Sequence, residues 1–173
     1  MHAFVDENTV RGIMVAAAIA DPRSLAHARK VLTELRLKGQ ERLHFKSERD
    51  SRRREICSAL MKLEVRVHVY NAATLTPKRG RPRCLEMLVA DLAELQASRL
   101  VLEQDDSTMK ADRRVLYEAV GKHGIREQLT YHHLRAKQEP MLWIPDAVAW
   151  CLAKGGEWPA RVRPLVTKTV DVR

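Results

Sequence analysis

Cysteine is scarce in this sequence, and long apolar runs, repeats and low-complexity tracts are missing. The three cysteines, Cys57, Cys84 and Cys151, are odd in number and widely spaced. They make neither a zinc spacing nor a disulfide framework, and each falls inside a helix-like pattern, so they read as reduced core thiols of a cytoplasmic protein. The longest apolar stretch, Ile13 to Ala20, is too short to cross a bilayer, so no membrane partner is expected. Met1-His2 runs straight into a strand-like segment, and no signal peptide is expected there. Without repeats the chain is not a solenoid or an array. No linker divides it, so residues 1–173 are expected to form one domain, with a core over about 2–154 and a C-terminal extension over about 155–173.

Positive charge is what the sequence has in excess. Lys and Arg number 31 against 22 Asp and Glu, a net charge of +9. A field of that sign favours polyanions, with nucleic acid first among them, although a GC-rich bacterial coding bias toward arginine produces a basic surface without a partner. Hydrophobic residues at 45% and charged residues at 31% place the chain among globular proteins rather than disordered ones.

Periodicity gives a hairpin followed by alternating helices and strands, a mixed-sheet α/β order. His2 to Asp6 reads as a strand, Glu7-Asn8 as its turn, and Arg11 to Ala20 as a buried partner strand. Asp21-Pro22 opens a helix that Gly39 stops. Arg42 to Phe45 reads as a short strand, and Asp50 or Ser51 caps the next helix. Val65, Val67 and Val69 alternate with Arg66, His68 and Tyr70, predicting a strand with one wet face. A basic loop over Thr76 to Arg83 precedes a helix striped by Leu85, Leu88, Val89, Leu92 and Leu95. Leu100-Val101-Leu102 lacks alternation and predicts a central strand covered on both faces. A helix near Ala111 to Val120, a strand near Leu129 to His133 and an apolar helix opened by Pro145 follow, and the tail from Trp158 is ambiguous.

Three acidic positions sit where buried elements begin or end. Asp6, followed by Glu7, closes the first strand; Glu103 ends the apolar strand, with Asp105 and Asp106 just beyond; Asp146 lies in the first turn of the apolar helix. An unpaired carboxylate at a buried element costs roughly several kcal/mol and calls for a cation, a donor or a shifted pKa. Each acid also has an ordinary reading: turn chemistry for Asp6-Glu7-Asn8, helix capping for Asp105-Asp106-Ser107, and helix-dipole complementation for Asp146.

At these residues the chain resembles the RNase H-like superfamily, which includes Holliday-junction resolvases and integrases. Within it, the chain is similar to a large bacterial family of unknown function. The likeness is carried by His2-Ala3-Phe4-Val5-Asp6-Glu7 with the hairpin partner after it, by Leu43-His44-Phe45-Lys46, and by Ile144-Pro145-Asp146-Ala147-Val148-Ala149-Trp150. The small residue usual after the first acidic pair is replaced by Asn8-Thr9. The resemblance implies an α/β RNase H-like mixed β-sheet flanked by helices, with strands one and two antiparallel. It further implies that Asp6, an acid ending a later inner strand and Asp146 are metal ligands. Glu103 fits the middle role by position, with Asp105 or Asp106 as alternatives. Hard oxygen ligands suit magnesium or manganese, and such ions support phosphodiester hydrolysis. Glu7 stands beside the catalytic set, His44 as a proton-handling group and Lys46 as a phosphate contact.

Among the basic segments, Arg79-Gly80-Arg81-Pro82 is similar to the AT-hook, which lays an extended Arg-Gly-Arg in the narrow minor groove. With Arg83 these arginines are nucleic-acid contacts, or else a basic loop in which Pro82 starts the next helix. Arg52-Arg53-Arg54 reads as phosphate contacts or as the wet side of a helix. His132-His133 is no metal pair, because adjacent strand residues face opposite ways. The expected function is a magnesium- or manganese-dependent nuclease acting on DNA or RNA. The alternatives are a non-catalytic module of the same fold binding nucleic acid or protein, or a self-associating protein, a homodimer using Trp143, Trp150 and Trp158.

Overall fold

The computed structural model describes residues 1–173. β1 (His2–Asn8), β2 (Ile13–Ala20), α1 (Leu25–Glu34), α2 (Asp50–Leu60), β3 (Arg66–Ala72), α3 (Pro77–Glu94) and β4 (Arg99–Glu103) are followed by α4 (Met109–Lys122), β5 (Thr130–Leu134), α5 (Trp143–Lys154), α6 (Trp158–Val162) and β6 (Val166–Asp171). The strands form one six-stranded sheet in the order β5-β4-β1-β2-β3-β6. β2 runs antiparallel to β1 and β3, whereas β1, β4 and β5 are mutually parallel and β6 is parallel to β3.

The two-residue period of the strands sorts the core into two layers. Phe4, Ala16, Ala18, Val67, Val69 and Val101 face α1, α2, α5 and α6. Ala3, Val5, Val15, Ala17, Tyr70, Leu100 and Leu102 face α3 and α4. β2 is covered on both sides, and its run of alanines lets helices approach the sheet closely. The three cysteines are free and buried, as expected of core thiols.

Several expectations change. Glu7 and Asn8 are not turn residues: they pair with Val15 and Met14, and the reversal falls on Thr9 to Gly12. Gly12 holds φ at +80°, and a Cβ there would lie 2.5 Å from the Ala73 Cα. Residues 42–45 form no strand; an extended passage ends in a short 3-10 turn, Phe45–Ser47. The supposed wet face of β3 is covered, because α3 packs over it and Asp91 accepts a 2.6 Å hydrogen bond from the Tyr70 hydroxyl.

The basic stretch Thr76 to Arg83 is not a loop. Pro77 occupies the first position of α3, where its missing N–H costs nothing, and Pro82 lies within that helix. Gly80 is buried against the sheet, where a Cβ would come within 2.6 Å of the Ile13 side chain and 2.9 Å of Ala72. Glycine is there for helix–sheet packing, and an extended Arg-Gly-Arg for a minor groove is unavailable in this conformation. The ambiguous tail forms α6 and then β6, which extends the sheet beside β3. Trp143 and Trp158 are buried, and Trp150 packs edge-on against Phe45 and Trp158, so the tryptophans belong to the interior rather than to a dimer surface. No helix is long and apolar enough to cross a membrane.

Candidate functional site

The sheet register brings the first two acids together. β1 and β4 are parallel neighbours, paired from His2–Arg99 to Val5–Leu102. The next step along both strands is Asp6 beside Glu103. Phe4 and Val101 face the α5 layer, so two residues further on Asp6 and Glu103 point to the same side. Glu103 ends β4 and Asp6 lies two residues before the end of β1, close to the carboxyl-end rim where α/β sheets commonly place ligand sites.

The third acid reaches this rim from above the sheet. α5 packs across β1 and β2 and carries Asp146 in its first turn. Asp146 Oδ2 accepts the Phe45 backbone N–H at 3.2 Å, tying α5 to the segment that bears His44 and Lys46. The same segment supplies a residue that sequence did not single out. Arg42 Nη1 lies 3.1 Å from Glu103 Oε1, and its Nη2 lies 3.9 Å from Asp146 Oδ2. Arg53 supports the arrangement, donating to the carbonyls of Phe45 and Lys46 and stacking 4.3 Å over the Trp150 ring.

One guanidinium thus faces three carboxyl groups. Burial pushes the Asp6 carboxyl well above its ordinary range, and the neighbouring Asp146 and Glu103 push it further, the latter also through a shared hydrogen bond. Arg42 opposes the shift. Asp146 is also raised by burial, against the pull of the Phe45 N–H, Arg42 and His44. Closely spaced carboxylates with too little positive charge hold protons at neutral pH or attract a cation.

Magnesium or manganese is the group that the superfamily resemblance implies here. No three His, Cys, Asp or Glu side chains are already gathered in a geometry that could hold a metal ion. The donor chemistry fits nonetheless: the oxygens are hard carboxylates, and the cluster carries more negative charge than Arg42 neutralises.

The remaining acids have other partners. Asp105 accepts from the backbone and hydroxyl of Ser107, bonds that hold its carboxyl below the usual range. Asp106 accepts from Gln104 and faces Arg135 at the surface. Both line a cavity of about 470 Å³ with Asp6, Glu7 and Glu103, so they shape its mouth. Glu7 points to the opposite side of the sheet, where Arg81 grips it. Arg81 also forks onto Asp112 at 2.7 and 2.8 Å, and His133 Nε2 lies 3.1 Å from the same carboxylate. Burial raises Asp112, but Arg81 and His133 outweigh it and leave the group below its ordinary value.

Arg81 is therefore committed internally rather than free for nucleic acid, whereas Arg79 and Arg83 on the same helix are exposed. Arg52 and Arg53 are neither wet nor free, with side chains 12% and 14% exposed, and they serve the His44 segment and α2. His44 and Lys46 are exposed, and the His44 ring contacts Ser47 Oγ at 3.3 Å. Arg42 and Asp112 carried no sequence signal, and His133 was weighed only as half of a metal pair, since each is defined by a partner distant along the chain.

No family model matches the sequence, and no curated protein matches it. Among solved structures, the fold is similar to RNase HII of Archaeoglobus fulgidus in its complex with PCNA, with a TM-score of 0.52 at 18% identity, over 95% of this chain and 73% of that one. The fold is accordingly an α/β mixed six-stranded sheet flanked by helices, similar to that of RNase HII. The likeness is one of fold and does not single out the bacterial family of unknown function.

Proposed function

We propose that the protein is a divalent-metal-dependent nuclease, hydrolysing phosphodiester bonds of DNA or RNA at the carboxyl ends of β1 and β4. The observation that carries this reading is the cluster of Asp6, Glu103 and Asp146 on one face of the sheet, three acids that share Arg42 as their ion-pair partner. Magnesium or manganese, when bound, would neutralise charge and activate water for attack on phosphorus. Asp6, Glu103 and Asp146 would hold the ion, with Glu103 rather than Asp105 or Asp106 in the middle role because those two are turned to other partners. His44, exposed beside Asp146, handles a proton at the rim. Lys46, Arg79 and Arg83 attract the phosphate backbone without reading sequence. Glu7 braces the end of β1 through Arg81. The reduced thiols and basic surface suit a cytoplasmic protein that meets nucleic acid.

The experiment is a cleavage assay with magnesium or manganese on single- and double-stranded DNA and RNA, using wild type, Asp6→Asn and Asp146→Asn. Metal-dependent cleavage lost in both variants supports the reading, and cleavage surviving in both rejects it. A second reading, a non-catalytic module of the same fold, is favoured by the ion pairs that Arg42 makes inside the cluster. Salt-sensitive nucleic-acid binding with no metal uptake would select it.

A further inference from the structure

Two arginines meet buried acids in this protein, and they do so in different ways. Arg81 makes a two-bond fork to Asp112, with side chains 12% and 2% exposed. Arg42 makes one 3.1 Å bond to Glu103 and stands 3.9 Å from Asp146, with 28% of its side chain exposed. Its Nε reaches only the neighbouring Leu43 carbonyl, at 3.2 Å. The chain around it, from Leu35 to His44, has neither helix nor strand. A guanidinium divided between two carboxylates on a segment of that kind has the contacts of a replaceable counter-ion rather than a fixed strut.

We propose that Arg42 is the built-in cation of the carboxylate cluster, held there when no metal is bound and displaced when a divalent ion enters. The inference rests on the metal-binding reading above and adds a residue that opposes it. Two positive charges in the same few ångströms repel, so metal entry has to move the guanidinium out through its exposed side. Its carboxylate partners then turn to the ion. Arg42 thereby sets the metal concentration at which the site fills, and makes filling weaker than three acids alone would give.

Removing the charge gives a result opposite to that of an ordinary supporting residue. If Arg42 only held the cluster in shape, its loss would scatter the acids and weaken metal binding. If it competes, its loss tightens binding, by a factor on the order of tenfold or more for one unit charge near the ion. The measurement is calorimetric titration of the full chain with manganese chloride, on wild type, Arg42→Gln, Arg42→Lys and Asp146→Asn, each checked for folding by circular dichroism. The expected result is tighter binding in Arg42→Gln, near wild-type binding in Arg42→Lys, which keeps the charge, and loss of binding in Asp146→Asn. Equal or weaker binding in a folded Arg42→Gln, with wild type still taking up manganese, overturns the competition and leaves the metal reading standing. Absence of uptake in every variant rejects both.

Discussion

The two adjacent strands β1 and β4 end between polar clusters on opposite faces of the sheet, and the clusters are built in opposite ways. On the α3 and α4 side, Arg81 bridges Glu7 and Asp112, and His133 lies 3.1 Å from the almost wholly buried Asp112 carboxylate. On the α5 side, Asp6, Glu103 and Asp146 are met by Arg42, with the exposed His44 beside Asp146, and burial together with the neighbouring acids drives the Asp6 carboxyl upward. Asp112 is satisfied within the protein, by the Arg81 fork and by His133. Under the proposed function, a bound cation relieves the repulsion within the α5-side cluster, and perturbed carboxyl groups of this kind mark functional-site candidates. One strand serves both, because successive residues point to opposite faces: Asp6 to one cluster, Glu7 to the other.

The comparison breaks most visibly through activity. Asp6→Asn or Asp146→Asn is expected to lower metal-dependent cleavage by roughly a thousandfold, equivalent to several kcal/mol of lost charge stabilisation in the transition state. Single-turnover cleavage of a labelled oligonucleotide checks this, with Glu7→Gln retaining far more activity than either.

Stability should separate the faces next. Asp112→Asn removes one of the two carboxylates that Arg81 holds, leaving Glu7, and is expected to cost about 2 kcal/mol in urea unfolding at pH 7 through the lost charged hydrogen bonds. The carboxyl of Asp112 lies below its unfolded value, so its contribution is full above about pH 4 and is lost as pH falls through the lower folded value. The gap between wild type and Asp112→Asn should therefore close on acidification. A gap that persists undiminished in strong acid would assign the loss to packing instead.

Nucleic-acid affinity gives the smallest effect. Replacing Arg79 and Arg83 together by alanine should reduce the slope of log binding constant against log salt by up to about 1.8 for duplex DNA, at about 0.9 for each lost phosphate contact. Arg81→Ala should leave the slope nearly unchanged while lowering stability, since its guanidinium is already engaged with Asp112.

Much of this architecture was legible in the sequence because it depends on local period. The apolar run Leu100-Val101-Leu102 marked a central strand with Glu103 at its end, and the register against β1 then set the face that the acid takes. The opening of α5 by apolar residues around Asp146 was readable in the same way. What failed was local chemistry overridden by tertiary contact. Gly80 has the look of a flexible loop glycine, but it is small because α3 lies close to Ile13 and Ala72. Tyr70 alternates like a wet residue, but Asp91 of a covering helix accepts its hydroxyl. Arg42 was invisible as a site residue because its acids lie 61 positions away at Glu103 and on a separate helix at Asp146. Charge count alone cannot show which arginine among many is placed against a carboxylate cluster.

The central claim is that the α5-side carboxylates are gathered for a shared cation, at a cost to the metal-free fold. Thermal unfolding of wild type and Asp6→Asn, each with and without manganese, tests it most directly. Without metal, Asp6→Asn should melt a few degrees above wild type, since roughly 1 kcal/mol of relieved repulsion moves the midpoint by about that much. With manganese, wild type should rise by the amount that binding to the native state adds, and Asp6→Asn should rise little. A lower melting point for metal-free Asp6→Asn, together with no manganese shift in wild type, would contradict the account.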